Sequence, residues 1–141
     1  MNIPKNLKHK PIIAINDYEK VDAKYAKNTD AKYLSIGKAQ WSDNYDVLSM
    51  KIWRHTGKKW SRQSEELPVH RTLDLTLLFV GALMHNPKSN FNAISLRETV
   101  VDEIHLSLIA DYYKKNEDYL RPRLEELSDK INQFLRKEDR K

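Results

Sequence analysis

The sequence contains no cysteine, so disulfide bonds and thiolate chemistry are excluded. Only three of its 141 residues are glycine, which leaves little material for the turns that cradle phosphate through backbone N–H groups. Its longest apolar stretch, Leu75–Met84, is too short to cross a bilayer. The first residues also lack the apolar run of a signal peptide. These absences predict a cytoplasmic protein that does not use a membrane as a partner.

The composition is that of one modest globular core. A hydrophobic content of 40% in 141 residues supports a single domain and is too little for two ordinary ones. We therefore predict one domain over residues 1–141, with three regions: a basic arm at 1–10, a β-rich region at 11–63 and a helical region at 64–141.

The positive charge is concentrated in the N-terminal half. Residues 1–63 carry thirteen Lys and Arg against six Asp and Glu, whereas residues 64–141 carry twelve against fourteen. Such a bias favours anionic partners: a free nucleotide, a polynucleotide or an acidic protein surface. The alternative is a solvated lysine-rich surface without a partner.

Hydrophobic periodicity predicts the fold class. Alternating or β-branched runs predict strands at residues 11–15, 32–41, 47–54 and 58–63, the last two joined by a tight turn at Thr56-Gly57. Helical spacing predicts helices at 68–85, at 97–115 and from 116 onward. The expected fold is α+β, a small antiparallel sheet of three or four strands packed against three C-terminal helices.

Two of the helices have unusual apolar surfaces. The first is apolar almost all round from Leu73 to Met84, which is typical of a central helix or a subunit interface. In the last, Leu120, Leu124, Leu127, Ile131 and Phe134 repeat at alternating spacings of four and three. This heptad-like seam predicts a helical hairpin or an oligomer contact.

The densest group of aromatic and cationic side chains lies in residues 51–74. If the predicted hairpin forms, two adjacent strands bring together Trp53, Arg54, His55, Trp60 and Arg62. An indole can stack on a base and a guanidinium fork fits phosphate, so the hairpin could hold a nucleotide. The alternative is that both Trp side chains pack in the core while the Arg side chains pair with Glu65 and Glu66.

A second group stands at the start of the first predicted helix. His70 and Asp74 are four residues apart and share a helix face, so Asp74 could orient the imidazole. Arg71 and the free N–H groups of the first turn could receive an anion. Local electrostatics alone, with Asp74 pairing with Arg71 or His70, is the competing interpretation.

A loop aromatic between amides, in Asn90-Phe91-Asn92, is a minor candidate. Phe91 and Asn92 could close over a ligand, or Phe91 could simply anchor the loop.

Catalytic, metal and cofactor sites are not predicted. No group of His, Asp and Glu has the spacing of three or four metal ligands. The sequence has no nucleophile elbow, P-loop or dinucleotide-binding turn. We therefore expect a protein that is not an enzyme.

The segments Leu34–Trp41 and Lys51–Leu75, with the run Trp53-Arg-His-Thr-Gly57, resemble an uncharacterised family of small bacterial and phage proteins. The likeness covers roughly residues 4–85. The size and the layout of a small sheet followed by helices are also similar to the Thoeris anti-defence sponge proteins of phages. That second resemblance implies a homo-oligomer that sequesters a cyclic ADP-ribose signal without degrading it, in the host cytoplasm if phage-encoded. It implies a class of function and assigns no residue.

The leading hypothesis is a non-enzymatic module, acting as a homo-oligomer, that binds an anionic nucleotide-like small molecule. Trp53 or Trp60 would stack on the base, and Arg54, Arg62 and Arg71 would hold phosphate. The alternatives are a nucleic-acid-binding protein and a protein-binding inhibitor, each acting through the basic N-terminal half.

Overall fold

A computed structural model describes residues 3–61 and 64–140. Within these residues the chain forms four strands followed by three α-helices: β1 (Lys10–Ile15), β2 (Ala31–Lys38), β3 (Leu48–Arg54), β4 (Glu66–Pro68), α1 (Val69–Leu83), α2 (Ser107–Lys115) and α3 (Glu117–Asp139). The predicted α+β class, with an antiparallel sheet in the N-terminal half and helices in the C-terminal half, is confirmed. Two compact units, Met1–Val80 and Gly81–Lys141, make up the chain. The single domain expected from length stays a prediction.

The sheet is an antiparallel meander in the order β1-β2-β3-β4. Its fourth strand differs from the prediction, which placed β3's partner at 58–63 and a helix start at 64–68. After the turn at Gly57, where φ is 96°, the returning chain makes one isolated bridge, His55 to Trp60. The Ser64 hydroxyl then accepts the Arg54 N–H at 3.1 Å, in place of a backbone carbonyl. Among the described residues, the next regular pairing with β3 is in β4, where Glu66 lies opposite Lys51.

The two faces of the sheet are covered differently. Alternation along β2 and β3 puts paired positions on one buried face, namely Tyr33 with Trp53, Ser35 with Lys51 and Gly37 with Ser49. His9 and Trp60 contact this face through the ring of Trp53. The opposite face carries more apolar residues, yet Ile13 and Ile15 of β1 and Met50 of β3 are exposed. The more buried face is therefore the more polar one.

Gly37 lets β1 approach this buried face closely. A Cβ atom built on Gly37 would stand 2.0 Å from the carbonyl oxygen of Lys10 and 2.7 Å from the Cα of Pro11. Any side chain at position 37 would push β1 away, and the segment that precedes β1 with it.

The sequence predicted that helix α1 is central or lies at a subunit interface, but most of its surface is exposed. It begins at Val69, directly after Pro68 of β4, and among its residues only Gly81 is buried. The large apolar side chains at positions 73, 75, 77 and 78 are exposed. Apolar residues on all sides of a helix show that the helix could be buried. Whether it is buried depends on which other elements pack against it. The subunit-interface interpretation stays a prediction.

Helix α2 is shorter than predicted because its first ten expected residues are not helical. The backbone of Arg97 has a φ of 58°, in the left-handed region, which interrupts an α-helix. The Asp102 side chain accepts the His105 N–H at 3.2 Å just before the helix begins at Ser107. Helix α3 starts at Glu117, close to the predicted position, and contains Pro122. No helix within the described residues is both long and apolar enough to span a membrane.

Candidate functional site

His9 is the organising residue of the buried sheet face. It lies in the predicted basic arm, between an exposed Lys8 and the first residue of β1, yet only 1% of its surface is exposed. Its Nδ1 is 2.9 Å from the hydroxyl of Ser49 on β3, and its Nε2 is 3.0 Å from the hydroxyl of Ser35 on β2. The imidazole thus ties the N-terminal segment to two strands.

The hydrogen bonds of this face form one directed chain. A carboxylate can only accept, so the Ser49 hydroxyl donates to Glu66 Oε2 at 2.8 Å. Ser49 must then accept from His9 Nδ1–H, which leaves Nε2 as an acceptor for the Ser35 hydroxyl. The Ser35 oxygen in turn accepts the indole N–H of Trp53 at 2.8 Å. With a neutral imidazole, the chain runs in one direction from Trp53 through Ser35, His9 and Ser49 to Glu66.

The environment favours that neutral form. Burial lowers the pKa of His9, and the nearby positive charges of Lys51 and Lys38 act in the same direction. The carboxylate of Glu66, whose Oε2 is 3.4 Å from Nδ1, opposes them. Desolvation is the largest effect and the net shift of the pKa is downward, which favours the neutral imidazole.

Lys51 is an ammonium held out of water beside this chain. Its side chain is 14% exposed, and its Nζ lies 4.1 Å from the centre of the Trp53 ring and 3.9 Å from Glu66 Oε1. Within residues 3–61 and 64–140 no acceptor stands within hydrogen-bond distance of Nζ. Burial lowers the pKa of Lys51, and the attraction of Glu66 compensates only in part. The three donors of the ammonium are therefore available to an anion.

Trp60 is held in place by other rings. Its ring centre lies 5.5 Å from that of Tyr33, 5.7 Å from that of Trp53 and 4.9 Å from that of His55. The last two contacts are edge-on, with interplanar angles of 78° and 85°. Such packing fixes the orientation of the indole before any ligand arrives, which reduces the entropy lost on binding.

These groups surround a cavity of about 630 Å³, which is within the range of small-molecule sites. It is lined by Pro4, Asn6, Leu7, Lys8, His9, Gln40, Lys51, Trp53, Trp60, Ser61 and Ser64. The described lining residues include two lysines and no carboxylate. The N-terminal segment forms one wall, and the sheet together with Trp60, Ser61 and Ser64 forms the others. The cavity thus offers positive charge, a fixed indole and side-chain amides.

The buried hydroxyls do not form a nucleophilic site. Ser35 is hydrogen-bonded to His9 as a catalytic serine would be, but it does not line the cavity and its oxygen already accepts from Trp53. Ser49 is fully buried between His9 and Glu66. The arrangement is suited to positioning side chains and holding a ligand.

The predicted hairpin residues have different environments. Trp53 and Trp60 both line the cavity, but Trp53 is 1% exposed and packs in the core, so only Trp60 has ring surface to offer. His55 Nδ1 accepts the Gly57 N–H at 3.0 Å beside Trp60. The Arg54 guanidinium bonds to Asp30 at 2.7 Å and to Glu65 at 2.8 Å. Arg62 lies outside the described residues.

The ion pairs of Arg54 explain why it is not available to phosphate. Its hydrogen bonds to Glu65 and Asp30 raise the pKa of Arg54, and its own bond lowers the pKa of Glu65. The predicted pairing of hairpin arginine with Glu65 is therefore present. Glu66, predicted as a second arginine partner, instead faces Ser49, His9 and Lys51.

The other predicted ligand residues are not brought to this cavity. His70, Arg71 and Asp74 are exposed on α1, and no hydrogen bond or ion pair within the described residues joins His70 to Asp74. Phe91 and Asn92 belong to the second compact unit. Phe91 is 88% exposed, and the Asn92 side chain donates to the Glu98 carbonyl. Their roles in binding stay predictions.

The sequence patterns did not identify the residues that form the buried hydrogen-bond chain or the cation beside it: His9, Ser35, Ser49, Lys51 and Glu66. Two signals were present. The serines share the inward-facing alternation of Tyr33 and Trp53, and Lys51 has the same parity as Trp53 on β3. For His9 no local signal exists, because its partners are 26 and 40 residues away. Among the described side chains, no group of three or more His, Cys, Asp or Glu could hold a metal ion.

Comparison with known proteins identifies the family. The profile named Family of unknown function (DUF6530) matches residues 1–107, about three quarters of the chain. The chain belongs to this family. The match is consistent with the expectation of an uncharacterised family, and it includes every residue that lines the cavity. The bacterial or phage origin and the likeness to anti-defence sponges stay predictions. No curated protein and no solved structure matches the chain significantly.

Proposed function

We propose that this DUF6530 protein is a non-enzymatic binding module for an anionic nucleotide-like small molecule, held in the cavity beside His9. The observation that carries the proposal is the Lys51 ammonium, which lines the cavity with no hydrogen-bond acceptor among the described residues. The nearest carboxylate, Glu66, stands at 3.9 Å, so an anionic ligand can add the charge-assisted hydrogen bonds that this largely buried ammonium does not make.

The remaining lining residues give the ligand its shape. Trp60 supplies an indole surface on which a base can stack, and Lys8 supplies a second positive charge at the cavity rim. The side chains of Asn6 and Gln40 can donate to and accept from the polar edge of a base. Relative to the sequence hypothesis, Lys51 and Lys8 take the phosphate-holding role assigned to Arg54.

Sequestration is the biological role that we propose for such binding. The resemblance to phage anti-defence sponges, which hold their signal without degrading it, suggests a cyclic ADP-ribose-type signal that is retained and not cleaved. A retained ligand should be recovered chemically unchanged. Chromatography of the ligand after prolonged incubation with excess protein measures this directly.

Calorimetric titration with nucleotides, cyclic nucleotides and ADP-ribose derivatives tests the binding. We expect at least one to bind, and Lys51→Met to weaken that binding about tenfold or more, because a charge-assisted hydrogen bond contributes about 1.5–3 kcal/mol. Methionine retains the apolar stem on Trp53 and removes only the ammonium. Lys24→Gln is the matched control, because Lys24 is exposed and lies outside the cavity.

The proposal fails if the wild type binds no member of the panel. It also fails if Lys51→Met, with an unchanged circular dichroism spectrum, binds as tightly as the wild type. A short single-stranded oligonucleotide in the same panel tests the nucleic-acid alternative. Binding only to the oligonucleotide, with a steep dependence on salt, would replace a small-molecule site by a polynucleotide surface.

Self-association is the second part of the proposal, and helix α3 supports it. Leu127, Ile131 and Phe134 of its heptad-like seam are between 41% and 58% exposed. We expect the wild type to sediment above the 16.7 kDa of one chain, and Ile131→Lys to sediment as a monomer, because a charge at the seam is costly to bury. Asn132→Lys, one position further on the same helix, is the control. A wild type that is monomeric at high micromolar concentration would contradict this part.

A further inference from the structure

A second depression of about 390 Å³ adjoins the cavity and shares part of its lining. The two share Asn6, Leu7, Lys8 and Gln40 as lining residues, so Lys8 and its neighbours form a common rim. The second depression adds Lys10 from β1 and Lys38 from β2, with Ser42 and Asp43 from the following loop. It is therefore a lysine-rich extension of the site described above.

The charge arrangement in this extension is unfavourable without an anion. Lys10 and Lys38 occupy directly opposite positions of the β1–β2 pair, where like charges destabilise a sheet. Lys8 adds a third positive charge, and Asp43 supplies the only carboxylate among the described lining residues.

Lys10 and Lys38 each keep N–H donors that could bind a ligand. Lys38 Nζ donates to the Ser42 carbonyl at 2.6 Å, and Lys10 Nζ donates to the Lys5 carbonyl at 3.1 Å. These bonds hold the two ammonium groups at the edge of the sheet and leave each with two further donors. A neutral carbonyl does not cancel the charge of either ammonium, so both remain open to an anion.

We infer that the lysine-rich extension receives additional phosphates of the ligand, so that the bound class is a nucleotide with two or more phosphate groups and not a monophosphate. This inference rests on the proposed function. The base lies against Trp60, the first phosphate is near Lys51 and Lys8, and the chain of phosphates continues past Lys8 to Lys10 and Lys38. A polyanion at that position bridges the opposed ammonium groups and removes their repulsion.

Titration with AMP, ADP and ATP, in EDTA and at constant ionic strength, tests the inference. We expect ADP and ATP to bind at least about tenfold more tightly than AMP, because each added phosphate gains charge-assisted hydrogen bonds. The double variant Lys10→Gln/Lys38→Gln is expected to lose this gain and to retain the AMP affinity of the wild type. Lys32→Gln is the matched control, because Lys32 lies on β2 and lines neither cavity.

The outcomes separate the two levels of the proposal. Equal affinities of the wild type for AMP, ADP and ATP would overturn the inference and leave the proposed function standing. No binding of any of the three, or of other nucleotides, would overturn both. The double variant should also unfold at the same or a higher temperature than the wild type, since it removes a like-charge pair. A clear fall in its unfolding temperature would show that the lysines stabilise the sheet and would contradict the inference.

Discussion

Trp53→Ala is expected to lower the free energy of unfolding by about 3–5 kcal/mol, the usual cost of removing a buried tryptophan. Trp53 is 1% exposed and is the largest fully buried side chain among the described residues. It packs against the rings of His9 and Trp60 and carries Lys51 on its face. Removing it also leaves the Ser35 oxygen without the indole donor. Urea unfolding followed by far-ultraviolet circular dichroism measures the change.

Trp41→Ala is the control for this substitution. Trp41 lies just after β2 and about half of its surface is exposed, so its loss should change stability by no more than about 0.5 kcal/mol. A similar loss of stability in the two variants would show that the polar sheet face is not the core of the N-terminal unit.

His9→Gln is expected to lower the free energy of unfolding at pH 8 by about 1–3 kcal/mol, because it disrupts two buried hydrogen bonds and leaves their partners poorly satisfied. It should also reduce the dependence of stability on pH. In the wild type, burial lowers the pKa of His9 below its ordinary value of 6.5. Chemical denaturation at a series of pH values between 8 and 5 measures both effects.

The direction of the pH effect follows from proton binding. Below pH 6.5 the unfolded chain takes up a proton at position 9, while the folded protein holds its imidazole neutral down to the lowered pKa. The contribution of neutral His9 is therefore complete above the ordinary pKa and is lost as pH falls toward the folded pKa. The charged groups that shift the pKa of this ring are Glu66, Lys51 and Lys38. The pH profile is therefore sensitive to the charges around His9.

His70→Gln is the matched control, because His70 is exposed at the start of α1. It should follow the wild-type pH profile. If His9→Gln retains the full wild-type pH dependence, burial of a neutral imidazole is not its cause.

The sheet could be predicted from sequence because alternation is a local signal. The structure contains the strand predicted at 11–15 and the strand predicted to end at Arg54. It also has the predicted alternation along β2, with Leu34 and Ile36 on one face and Tyr33 and Ser35 on the other. The hairpin return was not predictable in the same way, because the Ser64 hydroxyl, a side-chain group, takes the place of a backbone partner. Apolar spacing also extended the helix that became α2 too far toward the N-terminus, to Arg97, whose backbone has a left-handed φ.

Alternation cannot tell which face of a sheet is covered. The face with Leu34 and Ile36 is the more apolar, and hydrophobicity alone would bury it. The other face is buried because His9 and Glu66 satisfy both of its serines. These hydrogen bonds join residues that are 17 to 40 positions apart in the sequence, and no local pattern predicts such contacts.

The binding residues of the candidate site were likewise not predictable from local sequence alone. The dense aromatic and cationic stretch contains both Trp60 and Lys51, but density does not show which cations are already paired with carboxylates. Arg54 is hydrogen-bonded to two carboxylates, whereas Lys51 has one carboxylate nearby, at 3.9 Å. The distinction between a structural and an available cation appears only in three dimensions.

The most direct test of the central claim is to locate the bound ligand by nuclear magnetic resonance. With ¹⁵N-labelled protein and a saturating nucleotide from the calorimetric panel, we predict shifts in the indole N–H of Trp60 and in the amides of Lys8, Gln40 and Lys51. The indole N–H of Trp41 should not move. Shifts confined to His70 and Arg71, or to residues 81–140, would contradict a binding site on the polar face of the sheet.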